Sequence, residues 1–338
     1  MTDEIKSNAV ENASPEREKL TLGEFALASI RKHFHKSIEH EEDIFQDLDP
    51  EPLHQMRVGM RRLRTASIVF DPFVALSKDL ERDIAKISKR LGRVRDLDVL
   101  GQWFQDFIAD STLDEEELSK VEKTLKRLNR QRQKQFKQMR ATLQGNRYRQ
   151  FVEEFQTWLK YPSFRAGAEW PIQLVLPDLL LPLIDQLLLH PGWLAAIAGP
   201  IQQWSSQVAV TDTQVEIYLA EYGPILHDLR KQIKRVRYQT EFFKGFYDSA
   251  YTEQTLEFRA IQDLLGQLQD SQVLGDFLEK AAGSDWKKAI PSLERYLQKQ
   301  RLEQWQQWQP LQQKYLNPEF RQQLRALVLQ PRWNIGEG

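Results

Sequence analysis

The segment His54–Arg64, HQMRVGMRRLR, holds one histidine and four arginines with no acid among them, and the chain writes it twice. His227–Arg237, HDLRKQIKRVR, carries cations at the same offsets of +3, +7, +8 and +10 from its histidine. The first copy supplies Arg57, Arg61, Arg62 and Arg64; the second supplies Arg230, Lys234, Arg235 and Arg237, with Lys231 added between them. At about 100° per residue, offsets 0, +3, +7 and +10 fall within roughly 80° of one another, so each copy predicts a helix with one cationic stripe. Like charges at i,i+4 are mildly destabilising, and a surface helix usually mixes signs to avoid them. One such run could be a solvated basic face. Two runs at matched spacing make chance a poor explanation.

The repetition extends past the motif. At a shift of 173 residues Leu53 matches Leu226 and Phe70 matches Phe243. One residue further out of step, LGRVRDLDVL (Leu91–Leu100) aligns with LGQLQDSQVL (Leu265–Leu274), which repeats Leu91, Gly92, Asp96, Val99 and Leu100 as Leu265, Gly266, Asp270, Val273 and Leu274. This reads as an internal duplication of one large unit. A solenoid would repeat every 20–50 residues or so.

The doubled HxxR-x3-[RK]R-x-R pattern, each copy followed by a helix carrying LGxxxD, resembles the CHAD domain, the conserved histidine α-helical domain, over roughly residues 21–330. The resemblance implies an all-α fold of two four-helix-bundle-like halves, related by a pseudo-twofold axis around a basic groove or pore. It also implies binding of inorganic polyphosphate, often at polyphosphate granules. Some family members carry an N-terminal CYTH triphosphatase domain with an ExExK motif; residues 1–19 show no such motif, and that domain is not expected here. The expected division is a tail over 1–19, a first bundle over 20–160, a linker over 161–171 and a second bundle over 172–330, the two bundles forming one domain.

Charge is segregated along the chain. The net formal charge is only −1, yet residues 39–51 contain seven acids and no Lys or Arg, while residues 120–149 contain eleven Lys/Arg and one acid, Glu122. A near-neutral total can therefore still present positive ground to an anion. The absence of cysteine excludes disulfides, thiolate metal sites and cysteine nucleophiles. It agrees with a cytoplasmic location. The N-terminus MTDEIKSNAV is polar and mixed in charge, unlike a signal peptide. The most apolar segment, Ile172–Leu189, is interrupted by Pro177, Asp178, Pro182, Asp185 and Gln186, so no membrane span is expected.

Helical periodicity organises the rest. A first helix is expected from Leu20 to about Gln46, on which Lys32 and Lys36 could join the basic groove. Asp49-Pro50 reads as the start of the first motif helix, and Gly223-Pro224 as the start of the second. A helix from Lys78 to about Ile108 carries Arg82, Lys86, Lys89 and Arg93 at 0, +4, +7 and +11, within about 60° on the wheel. The matching positions in the second copy are Leu256, Ala260, Asp263 and Gln267. The site is therefore expected to be asymmetric, weighted towards the first half. Ser111–Gln144 reads as a long amphipathic helix whose outer cations, Lys123, Arg127, Arg130, Lys134 and Lys137, are either a solvated face or an extension of an anion track. Gly192 and Gly199-Pro200 interrupt the second half before its motif helix. Trp286, Trp305 and Trp308 are read as packing residues.

These stripes suit a ligand that is all phosphate. A polyanion is bound by exchanging its counterions for fixed cations. Arginine adds paired hydrogen bonds to phosphate oxygens, and a histidine can donate one more. One cation per turn recurs about every 5.4 Å. Polyphosphate is the expected partner, without a cofactor. Nucleic acid is the competing polyanion, though no RNP, KH or zinc-finger pattern appears; a scaffold for an acidic protein is a third class. No P-loop, GxSxG elbow or HExxH is present, so neither an enzyme nor a metal site is expected. Asp96 and Asp270 are expected to hold motif arginines in place.

Overall fold

Helix boundaries follow capping chemistry. In the computed structural model, which describes residues 20–197, 210–282 and 285–332, the chain is all-α. Thr21 caps α1 (Leu22–Ile38) through a reciprocal pair with Glu24, Ser77 caps α4 (Lys78–Asp110), and Asp114 caps α5 (Glu115–Leu143). These side-chain oxygens take up backbone N–H groups that have no partner within the helix. The short α2 (Glu41–Gln46) and the motif helix α3 (Glu51–Val69) stand between α1 and α4, and α6 (Asn146–Lys160) closes the first half. The second half comprises α7 (Ile172–Leu188), the motif helix α8 (Asp212–Phe242), α9 (Ser249–Ala282), the single turn α10 (Trp286–Ala289), α11 (Pro291–Leu316) and α12 (Pro318–Leu329). The tail over 1–19 and the Gly199-Pro200 break lie outside the described residues.

Several expected boundaries move. The helix read as Leu20 to Gln46 is two: α1 ends at Ile38, and α2 begins after His40 and ends at Asp47, whose φ of 53° is left-handed. Glu51 opens α3, with Asp49 Oδ1 accepting its N–H at 2.8 Å. Gly223-Pro224 does not start α8. The helix begins eleven residues earlier, where Thr211 forms a capping box with Gln214, and Pro224 lies within it. Pro177 and Pro182 lie inside α7, and Pro310 inside α11. The prolines of α7 do not break it: Ile172–Leu194 is long and apolar enough to cross a membrane by composition, and half of its most apolar window is buried in the protein. The expected linker over 161–171 is pinned to the first half by bridges pairing Thr21 with Pro171 and Val74 with Phe164.

The two halves meet at two apolar poles. At one, Phe25, Phe70, Phe242, Phe243 and Phe246 form a ring cluster in which the sequence-matched pair Phe70 and Phe243 meet edge to face at 6.2 Å. At the other, Phe104, Phe107, Val121 and Leu128 pack with Leu274, Leu278, Trp286, Ile290, Leu293 and Leu297. Glu117 ties this pole together by accepting the Ser292 N–H at 2.8 Å. Trp286, Trp305 and Trp308 are all buried. The motif segments of α3 and α8 lie against the Gly92–Asp96 and Gly266–Asp270 stretches of α4 and α9, Arg57 beside Gly92 and Arg230 beside Gly266.

Candidate anion-binding cluster

The two motif helices are anchored alike. On α3 the buried row is Leu53, Met56, Met60 and Leu63; on α8 it is Leu226, Leu229, Ile233 and Val236. Each cationic stripe lies roughly 100° round the helix from its buried row, beside the core rather than opposite it. His54, Arg57 and Arg61, and likewise His227, Arg230 and Lys234, are consequently half-buried, neither inside apolar packing nor free in solvent.

The LGxxxD segments form the floor. A Cβ on Gly92 would lie 3.7 Å from Arg57 Nε, and one on Gly266 only 3.1 Å from Arg230 Nε. Each arginine at +3 thus lies across a glycine of the following long helix, and at Gly266 the approach is tighter than an ordinary side-chain contact. Arg57 pairs with Asp96 at 3.3 Å, the positioning role expected of that residue. Asp270 feels Arg230 and also Asp96, so the two matched aspartates are within electrostatic reach of each other.

Cations from both halves converge here. The Lys234 amine is pushed down to about 8, first by burial and then by Arg61, Arg230 and Arg57, with Asp96 only partly opposing. Burial and the neighbouring Arg57, Arg237 and Arg62 lower Arg61 as well, against Tyr238. His54 is held below its ordinary value by burial and then by Arg95; His227 is lowered by burial and then by Lys231 and Arg230. The Nδ1 atoms of both histidines, and the Nε atoms of Arg61 and Arg230, are buried without a hydrogen-bond partner. Fixed positive charge here exceeds the carboxylates present, a state that favours an anion.

The structure sorts the remaining candidates. Arg62 and Arg237 are committed to Glu241, at 2.9 and 2.8 Å, and Arg237 is 8% exposed and also donates to Gln262 at 3.1 Å. Their part is to join α3 to α8. Arg64 and Arg235 are exposed, and Lys231 is exposed and pairs with Asp228 at 3.5 Å. Lys32 and Lys36 flank the buried His33, close enough with Arg62 to help push it down to about 4. Arg82, Lys86, Lys89 and Arg93 project from the exposed side of α4. Arg82 pairs with Asp79 of its own helix. No hydrogen bond or ion pair links these four to the motif helices among the described residues. Sequence reading missed Arg95, Tyr238 and Glu241 as parts of the cluster. Glu241 was visible as an i+4 partner of Arg237; Arg95 gave no signal.

The CHAD domain family matches residues 28–279, well over half the chain. The chain belongs to the CHAD domain family. The match is shorter at both ends than the resemblance drawn from the motifs. Among solved structures, the CHAD fold here is similar to the CHAD domain from the plant Ricinus communis, with a TM-score of 0.55 and 23% identity over 93% of this chain and 96% of that one. It is also similar to PptA from Streptomyces chartreusis, with a TM-score of 0.60 and 14% identity over 88% of this chain and 99% of that one. No curated protein matches the sequence. At these identities the two structures speak to the CHAD fold alone.

Proposed function

We propose that this CHAD protein binds inorganic polyphosphate, without catalysis, in the cluster where α3 faces α8. The observation that carries the reading is the convergence of Arg57 and Arg61 of α3 with Arg230 and Lys234 of α8: the Nε atoms of Arg61 and Arg230 are buried without a hydrogen-bond partner, and burial, then Arg61, Arg230 and Arg57, lower the Lys234 amine. Repulsion of that kind is relieved by a ligand bringing closely spaced negative charge. Arg57, Arg61 and Arg230 offer planar guanidinium groups to phosphoryl oxygens. Lys234 adds a point charge, and His54 and His227 add one ring N–H each. Exposed Arg64, Arg235, Lys231 and Lys32, with half-buried Lys36, continue the positive field outward. A chain of phosphates, with charge at every unit and no bases to accommodate, suits such a field, and affinity for long polymers would direct the protein to polyphosphate granules.

The test is a salt-titrated binding assay with long polyphosphate, short polyphosphate and RNA side by side. Long polyphosphate is expected to displace bound RNA at about tenfold lower charge concentration than the reverse, with a steep fall in affinity as salt rises. RNA outcompeting polyphosphate at equal charge would replace this reading with a nucleic-acid one.

A further inference from the structure

Tyr238 is the odd member of the cluster. It carries no charge, it is 5% exposed, and two guanidiniums lie on its ring: Arg61 of α3 with its carbon 4.7 Å from the centroid, and Arg237 of its own helix at 5.0 Å. Arg237 is fixed independently by Glu241 and Gln262. Arg61 has no such tether: its Nε is buried without a partner, and no carboxylate pairs with it among the described residues. The tyrosine face is therefore what gives this half-buried arginine a defined position. A cation over an aromatic face is attracted by the ring quadrupole, and more so where water is excluded.

The arrangement is not repeated. Lys234 is the second-copy counterpart of Arg61, and the residue matching Tyr238 in the first copy is Thr65, whose hydroxyl donates to the Arg61 carbonyl at 3.0 Å in its own helix. One motif helix thus receives an aromatic platform from the other and gives none in return.

We infer that Tyr238 is a positioning residue for anion capture, holding Arg61 so that one guanidinium of the first half is presented in fixed orientation while Lys234 opposite remains the adaptable cation. This rests on the polyphosphate reading and deepens it. A held arginine loses less side-chain freedom on meeting a phosphate than a free one. The platform also makes a first-half contact depend on a second-half side chain, a source of asymmetry in the site besides the exposed α4 stripe.

The experiment compares wild type, Arg61→Gln, Tyr238→Leu, Tyr238→Phe and the double variant Arg61→Gln/Tyr238→Leu for affinity to long polyphosphate over a range of salt. Tyr238→Leu is expected to weaken binding about tenfold and to lower the salt slope by about one contact, as Arg61→Gln does. Tyr238→Phe, which keeps the ring, is expected to stay within about twofold of wild type, and the double variant to be no worse than Arg61→Gln alone. Additive losses in the double variant, or an unchanged slope in Tyr238→Leu, would overturn the inference. If Tyr238→Leu does not fold, Arg61→Lys serves in its place: lysine keeps the charge without the flat stack, and about fivefold weaker binding is expected, with equal affinity overturning the claim. Wild type failing to bind polyphosphate defeats the proposed function instead; wild type binding and Arg61→Gln losing affinity while Tyr238→Leu does not defeats the positioning role alone.

Discussion

Arg62 of α3 and Glu241 of α8 form an ion pair of 2.9 Å across the junction of the two halves. The same carboxylate receives Arg237 at 2.8 Å and is itself only 12% exposed. Removing it strands a buried guanidinium, and a buried pair broken on one side is strongly destabilising. Glu241→Ala is expected to lower the unfolding free energy by about 3 kcal/mol, read as a shift in the urea midpoint. A loss below about 1 kcal/mol would mean that Arg237 finds water or another partner.

Gly266 and Gly92 should answer differently to one methyl group. Alanine at Gly266 would press on the Arg230 guanidinium at 3.1 Å and shift it by a few tenths of an ångström, whereas alanine at Gly92 would meet Arg57 at an ordinary 3.7 Å. Both substitutions favour the helix by about 1 kcal/mol. Gly266→Ala is therefore expected to bind polyphosphate about tenfold more weakly without losing thermal stability. Gly92→Ala should bind within about twofold of wild type. Equal affinities in the two variants would show that the arginine seats are not built by these glycines.

Binding should take up protons. With the Lys234 amine pushed down to about 8, part of the site is uncharged at mildly alkaline pH, and an arriving polyanion raises that value and recharges it. Affinity is expected to fall about threefold or more between pH 7 and 9 as the free-state amine loses its proton. Calorimetry at pH 8 in buffers of different ionisation enthalpy should show net proton uptake, abolished in Lys234→Met. The two motif histidines, both lowered in the free protein, are expected to strengthen binding as acidification protonates them. Zero uptake in wild type would contradict this.

Acid should weaken the fold at His33. Burial, then Arg62, Lys32 and Lys36, push it down to about 4, while in the unfolded chain it titrates near its ordinary value. The unfolded state therefore holds more protons between those two values, and stability contributed by the neutral ring is lost as pH falls through that window. The full loss approaches about 3 kcal/mol. His33→Phe should flatten the pH dependence of the melting temperature between pH 6.5 and 4; an unchanged slope would place the acid sensitivity elsewhere.

What could be read from sequence was whatever repeats or caps. The stripes of α3 and α8 followed from spacing, and Ser77 and Asp114 stand where helix starts were expected within a few residues. Asp96 was placed correctly against a motif arginine because LGxxxD occurs twice. The start of α8 was misread because Gly223-Pro224 imitated Asp49-Pro50, although Thr211 and Gln214 spell a capping box. Tyr238 and Glu241 escaped because their first-copy counterparts are Thr65 and Ile68, so a search by repetition passes over them. A helical wheel shows that Lys89 and Arg93 share a stripe with Arg82 and Lys86, but not which neighbour the stripe faces, and here it faces solvent.

Both motif helices are held to act on one ligand, and the direct measurement is long-polyphosphate affinity of two charge-reversed proteins, Arg57→Glu/Arg61→Glu and Arg230→Glu/Lys234→Glu, each checked for intact helicity. Each pair is expected to lower affinity by about a hundredfold or more and to flatten the salt dependence. Either pair binding within about twofold of wild type would contradict a shared site.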